Sequence, residues 1–265
     1  MPRYDFHQIE KAQTGLDHPE CVNFGPGGRL YTSGFAGEVY VMRPPRFEPH
    51  QLTNMQGFVG SVMANGNHNV MRVTQKGEVS THCDGAPDGS LAMPNYGSFD
   101  SKGNYYYFDS GDCWKPNGRF VRVRPDQRSE SLAGGNWHFP DGLATSPRDG
   151  AMFMIQSTAA DVLRIPVKKD GTVGSTEIYA PLQGSAMDGL AFARNGNLYV
   201  SCYFPNRINR VFPDRNIELS IEDTTGEILN QPTSIAFESK GTRLFFANLG
   251  GQRVGTFDVH ESGPL

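Results

Sequence analysis

Apolar positions in this chain fall in short runs divided by Gly, Pro, Asn and Asp, with little of the 3.6-residue spacing that marks a helix. One run, apolar-x-Arg-apolar, returns as Val41-Met42-Arg43, Val70-Met71-Arg72-Val73, Val121-Arg122-Val123, Val162-Leu163-Arg164-Ile165 and Ile208-Asn209-Arg210-Val211, with a degenerate sixth copy at Val254-Gly255-Thr256-Phe257. The arginines stand 29, 50, 42 and 46 residues apart. Ahead of most copies lies a turn glycine followed by an apolar strand, as in KGNYYYFDSG, DGAMFMIQS, NGNLYVSCY and KGTRLFFANLGG. Gly103, Gly150, Gly196 and Gly241 are separated by 47, 46 and 45 residues. A third motif opens each unit: HPECVNF, MPNYGSF, FPDGLAT, AMDGLAF and QPTSIAF.

Units of about 45 residues built from short strands are the signature of propeller blades. The pattern predicts an all-β, six-bladed β-propeller occupying residues 1–265 as a single domain. One blade is predicted to be short. Blade 2, around Phe58–Cys83, lacks its own turn-glycine strand, which accounts for the 29-residue arginine gap. The N-terminal strand Tyr4–Ala12 has no unit of its own and is expected to pair with the last blade, closing the ring and covering an edge. A pair of β-sandwiches is the other all-β arrangement, but five or six equal repeats are hard to place on Greek keys.

Composition narrows the function. A net charge of −4 and no Lys/Arg run argue against a nucleic-acid partner. Gly and Pro make up 49 residues, evenly spread, and so read as turns rather than a disordered tract. The opening MPRYDFHQIEKAQ lacks the apolar core of a signal peptide, and no stretch reaches the length of a membrane span. Cys21, Cys83, Cys113 and Cys202 are widely spaced without a CxxC pair, which reads as reduced thiols. Together these features lead us to expect a cytoplasmic protein that meets neither membrane nor nucleic acid.

In a propeller the innermost strand of every blade lines the channel, so one position per blade points at a common axis. The opening motif offers Glu20, Val59, Asn95, Asp141, Asp188 and Thr233. Singly, Asp-Gly is an ordinary turn pair. Three carboxylates converging on one channel would repel one another unless neutralised. A hard divalent cation is the simplest neutraliser; all-oxygen ligation with an amide favours Ca2+, with Fe2+, Mn2+, Mg2+ or Zn2+ as alternatives if His18 or His138 joins the shell.

The ordered blocks PECVNF, PNYGSFDSKGNYYYFDSG, FPDGLATSPRDG, MDGLAFARNGNLYVS and QPTSIAF resemble the senescence marker protein, gluconolactonase and luciferin-regenerating enzyme superfamily, from about residue 17 to 257. The resemblance implies a six-bladed propeller with one divalent metal and, in many members, lactone hydrolysis. It carries metal ligation over to Glu20, Asp141 and Asp188, and contact with substrate or metal to Asn95. Two positions depart from it. Asp141 stands where the family has Asn, which adds negative charge at the metal. Met93 and Tyr96 stand where sugar lactonases carry Arg and Asp, which removes groups that grip sugar hydroxyls and implies a less polar substrate. Trp137, His138, Tyr203, Phe204 and Phe58 are further pocket candidates, with blade packing as the competing reading for each aromatic.

The expected function is metal-assisted opening of a small-molecule lactone, with Asp188 as general base and His138 as an alternative base or oxyanion partner. Two other readings share the scaffold. One is a different metal-dependent reaction: phosphotriester hydrolysis, or a lyase, isomerase or condensation step. The other is a binding platform with a structural ion.

Overall fold

Gly103, Gly150 and Gly196 take φ values of 81°, 71° and 92°, a region that glycine enters without a Cβ clash. Each turns the chain from the innermost strand of a sheet into the second. The computed structural model describes residues 1–55, 64–65, 68–86, 88–100 and 102–264.

The strands run β1 (Glu10–Thr14), β2 (Val22–Gly25), β3 (Arg29–Ser33), β4 (Glu38–Arg43) and β5 (Glu48–Asn54). There follow β6 (Ala64–Asn65), β7 (Asn69–Val73), β8 (Val79–Cys83), β9 (Gly85–Ala86) and β10 (Gly89–Ser90). Next come β11 (Pro94–Phe99), β12 (Tyr105–Asp109), β13 (Gly118–Val123), β14 (Ser129–Trp137), β15 (Pro140–Thr145), β16 (Met152–Gln156), β17 (Asp161–Ile165) and β18 (Glu177–Pro181). The chain ends with β19 (Ala186–Phe192), β20 (Leu198–Phe204), β21 (Arg207–Val211), β22 (Ile217–Glu222), β23 (Pro232–Phe237), β24 (Arg243–Asn248) and β25 (Arg253–Asp258).

These strands make an all-β propeller. Four sheets are simple meanders, β2–β5, β11–β14, β15–β18 and β19–β22; the fifth, in the order β1-β25-β24-β23, takes its outermost strand from the N-terminus. That strand lies at Glu10–Thr14, later in the chain than the Tyr4–Ala12 run read from the sequence, because Phe6–Gln8 forms a 3-10 turn instead. The innermost strands stand side by side: β2 by β23, β23 by β19, β19 by β15, β15 by β11 and β11 by β6.

The blade count corrects the sequence reading. Among the described residues there are five four-stranded blades, not six with one shortened. The stretch read as blade 2 forms a three-stranded sheet, β6–β8, whose inner member has two residues, followed by the two-residue ribbon β9–β10. Among the described residues this segment offers three strands to its sheet and a two-residue inner member, so no full four-stranded meander forms there. Val59 and Phe58 lie outside the described residues.

Blades pack face to face, so the second strands carry runs of consecutive apolar residues rather than strict alternation. Every residue of β12 and β16 is buried. Phe153 meets Phe192 of the next blade edge to face, with ring centroids 4.9 Å apart, a geometry that favours the aromatic quadrupoles. The repeated arginine of the third strand serves the sheet. Arg122, Arg164 and Arg210 lie directly opposite Glu130, Glu177 and Glu218 on the fourth strand and pair with them at 2.7, 3.6 and 3.0 Å, stabilising cross-strand pairs. No helix among the described residues is long and apolar enough to cross a membrane.

Candidate functional site

The residues that head the inner strands sit in a repeated backbone irregularity. In β15 the register passes from Pro140 opposite Gln156 to Leu143 opposite Met154, so Asp141 and Gly142 together face one residue of β16. The same two-against-one step holds Asn95 and Tyr96 in β11, Asp188 and Gly189 in β19, and Thr233 and Ser234 in β23. A β-bulge of this kind re-aims a side chain that regular alternation would send elsewhere. The Asp-Gly pairs are therefore bulged strand, not turns. Their glycines are needed for close approach: a Cβ on Gly142 would stand 2.3 Å from the Asp188 carbonyl oxygen, and one on Gly189 2.6 Å from that of Thr233. Ahead of three opening motifs a residue before proline takes the left-handed region, His18 at φ 42°, Phe139 at 51° and Gln231 at 52°. For non-glycine residues this costs on the order of 1 kcal/mol or more and tends to persist at functional sites.

Hydroxyl groups bind these heads blade to blade. Ser110 Oγ donates to the Pro140 carbonyl at 2.6 Å, and Thr233 Oγ1 to the Glu20 carbonyl at 2.6 Å. Ser201 Oγ donates to the Thr233 carbonyl. Ser157 Oγ lies 2.8 Å from the Met187 carbonyl and 3.2 Å from Asp141 Oδ2, so its single proton is shared between backbone and carboxylate. Sequence reasoning missed these serines, although Ser110, Ser157 and Ser201 recur near the ends of the second-strand motifs.

The structure brings Glu20, Asp141 and Asp188 into one electrostatic group. Asp141 and Asp188 are buried, and Glu20 Oε2 is buried without a hydrogen-bond partner. Burial pushes the Asp188 carboxyl up to about 7. Burial also holds Glu20 well above the usual carboxylate range, and the charge of Asp188 adds to it. Asp141 is raised by burial, then by Asp188 and Glu20, against the opposing hydrogen bond from Ser157. These are the signs expected when like charges share a dry space. Tyr203 is half-buried beside them, raised by burial and by Glu20 and Asp188. The Tyr96 hydroxyl is buried beside Ser234 with no hydrogen bond of good geometry, and burial and Asp188 raise it well above the usual phenol range.

Other predicted residues lie elsewhere. Trp137 packs edge to face on Phe108 at 6.0 Å and against Phe120 at 6.4 Å, inside its blade. His138 is exposed; its backbone N–H donates to Gln156 Oε1 at 2.9 Å, and among the described residues its ring makes no hydrogen bond or ion pair. Phe204 and Met93 are exposed. His18 is turned to Asp17, with Nδ1 2.7 Å from Oδ1. Asn95 is half-buried in the β11 bulge.

Among the described residues no three His, Cys, Asp or Glu side chains stand close enough together to form a metal-ligand cluster. The donor chemistry nonetheless fits a hard divalent cation. Three carboxylates and an amide stand at or just before the heads of β2, β11, β15 and β19, and the orphaned Oε2 of Glu20 is a buried acceptor in need of a positive partner.

Fold and site together define a β-propeller whose channel has carboxylates at the heads of its inner strands. Residues 37–249 match the family described as SMP-30/Gluconolactonase/LRE-like region, and the chain belongs to that family. It is 30% identical over 115 residues to lactonase drp35 of Staphylococcus aureus, a match covering 42% of this chain and 36% of that protein's length. The fold resembles a gluconolactonase from Xanthomonas campestris, with a TM-score of 0.80 and 17% identity over 94% of this chain and 89% of that one. It also resembles the calcium-binding protein regucalcin from Agrobacterium tumefaciens, with a TM-score of 0.76 and 15% identity over 100% and 99% of the two chains.

Proposed function

We propose that the chain is a metal-dependent hydrolase that opens a lactone, with a substrate less polar than an aldonolactone. The observation that carries this reading is that Glu20, Asp141 and Asp188, from three blades, lie near enough for the charge of Asp188 to act on the other two, with one buried oxygen of Glu20 lacking a partner. Family membership, the drp35 match and a structural neighbour described as calcium-binding point the same way.

Glu20, Asp141 and Asp188 are the residues that would hold a divalent cation, Ca2+ best matching the donors, with Asn95 beside it. When bound, such an ion supplies polarisation of the ester carbonyl. The side chains do the rest. Asp188 takes a proton from the attacking water as its oxygen bonds to the carbonyl carbon. The ring C–O bond then breaks and the proton returns to the leaving alkoxide, so the product is a hydroxy acid. Tyr203 and Asn95 flank the substrate. The exposed Met93 and the phenol of Tyr96 offer no guanidinium or carboxylate to sugar hydroxyls, which supports the lower polarity of the substrate. His138, exposed to solvent, is the weaker candidate for base.

The test is a lactone panel assayed on metal-stripped protein before and after adding Ca2+, Mn2+, Mg2+, Fe2+ or Zn2+, with products followed by mass spectrometry. Ring opening restored by one of these ions is expected. Failure to open any lactone at any metal loading would sink the reading.

A further inference from the structure

Tyr96 is the second residue of the β11 bulge; its side chain packs against the cluster that its own blade shares with the next, among them Phe108 and Leu143, and its hydroxyl reaches further. Its hydroxyl lies beside Ser234, in the bulge of β23, with Asp188, Cys21 and Asp141 also close by. In the ring of inner strands β15 and β19 stand between β11 and β23. A side chain that reaches from β11 to β23 therefore crosses the channel rather than following its wall.

Beyond it the channel widens. At the far ends of the same inner strands is a cavity of about 730 Å3 whose walls include Phe24, Phe99, Ala144, Phe192, Ile235 and Phe237. That volume is in the range that takes a small organic ligand. The carboxylates head the strands at one end, and this cavity, whose rim also carries Ser98, Asp100 and Thr145, opens at the other; along β11, Tyr96 stands between Asn95 at the head and Ser98 on the cavity wall.

We propose that Tyr96 is the floor of the carboxylate pocket, and that the depth it leaves restricts the substrate to lactones without a long acyl tail. This rests on the lactonase reading above for its substrate, but not for the floor itself. Shortening the side chain joins the two spaces and lets an alkyl tail lie against the Phe24, Phe192, Ile235 and Phe237 walls of the cavity, while Tyr96→Phe removes only the hydroxyl and keeps the barrier.

Two measurements on the full-length protein test this. In the first, lactones with side chains from methyl to decyl are compared by kcat/KM for wild type, Tyr96→Phe and Tyr96→Ala. The long-to-short ratio should rise by about tenfold or more in Tyr96→Ala, the scale on which apolar pockets discriminate methylenes, and should be unchanged in Tyr96→Phe. The second needs no activity. Cys21, 3% exposed and beside Tyr96, is alkylated with iodoacetamide and followed by mass spectrometry, with the fully buried Cys202 as internal reference. Its rate should rise about tenfold in Tyr96→Ala, because thiol reactivity follows access, and stay at the wild-type rate in Tyr96→Phe. Tyr96→Val, β-branched and suited to a strand, replaces the alanine variant if circular dichroism shows that variant unfolded. A Cys21 rate equal to wild type in the shortened variant overturns the floor. A raised rate with an unchanged chain-length profile overturns its role in specificity. If wild type opens no lactone, the lactonase reading falls and the Cys21 rates alone decide the floor.

Discussion

Gly142 and the backbone carbonyl of Asp188 approach so closely that a side-chain carbon on Gly142 would lie 2.3 Å from that oxygen. Two neighbouring blades thus touch backbone to backbone where their carboxylates emerge, and a backbone neighbour cannot rotate away. Gly142→Ala should destabilise the fold by about 1–3 kcal/mol, the usual cost of overpacking. Gly150→Ala, where a Cβ meets open space but φ is 71°, should cost only about 1 kcal/mol for the left-handed backbone. Chemical denaturation of the two variants measures this, and equal losses would contradict the close approach.

Ser157 shares one proton between Asp141 and the Met187 carbonyl. Ser157→Ala removes a hydrogen bond that favours the ionised form of Asp141, so the carboxyl should titrate higher still and hold a cation less well. On the proposed reading, the affinity for added Ca2+ should fall on the order of tenfold, the lower end of the range for groups that orient ligands. Calorimetric titration of metal-stripped protein reads it; an unchanged affinity would show that the serine serves only the backbone.

The metal-stripped protein should lose stability as pH rises. Asp188 titrates at 3.8 when free and at about 7 in the fold, so the folded state favours the protonated carboxyl. Its contribution is complete below about pH 4 and is lost as pH rises through about 7. Glu20 and Asp141 are shifted in the same direction and act with the same sign. Melting temperature should therefore fall across this window, and saturating cation should offset the fall. A flat profile without metal would rule out a buried carboxylate group of this strength.

Asp188→Asn separates chemistry from stability. It removes the proton acceptor, and lactone turnover should drop at least about a hundredfold, the lower scale of general-base catalysis. It also removes a charge disfavoured by burial, so the metal-stripped variant should melt higher than wild type at pH 8. Full activity would remove Asp188 from the mechanism; a lower melting temperature would contradict its burial as a costly carboxylate.

The chain by itself determined a good deal. The 45–47-residue recurrence of Gly103, Gly150, Gly196 and Gly241, and of Asn95, Asp141, Asp188 and Thr233, is written in spacing. Short strands at equal intervals can bury their faces in few other ways, so the propeller and the positions heading its inner strands were legible. Tertiary structure decided what depends on partners distant in sequence. Asp-Gly reads equally as a turn or as a strand head, and only pairing with the second strand makes it a bulge. Ser110 bonds a carbonyl 30 residues away, a relation no local pattern encodes. Trp137 and Tyr203 are both aromatics near the opening motifs, yet one faces Phe108 inside a blade and the other the carboxylates. The count of five four-stranded blades among the described residues was decided there too, because strands form a blade only when they accept one another's hydrogen bonds. So was the path of Tyr96: its place beside Asn95 is visible in the chain, but its reach to Ser234 exists only once β11 and β23 face each other across the channel.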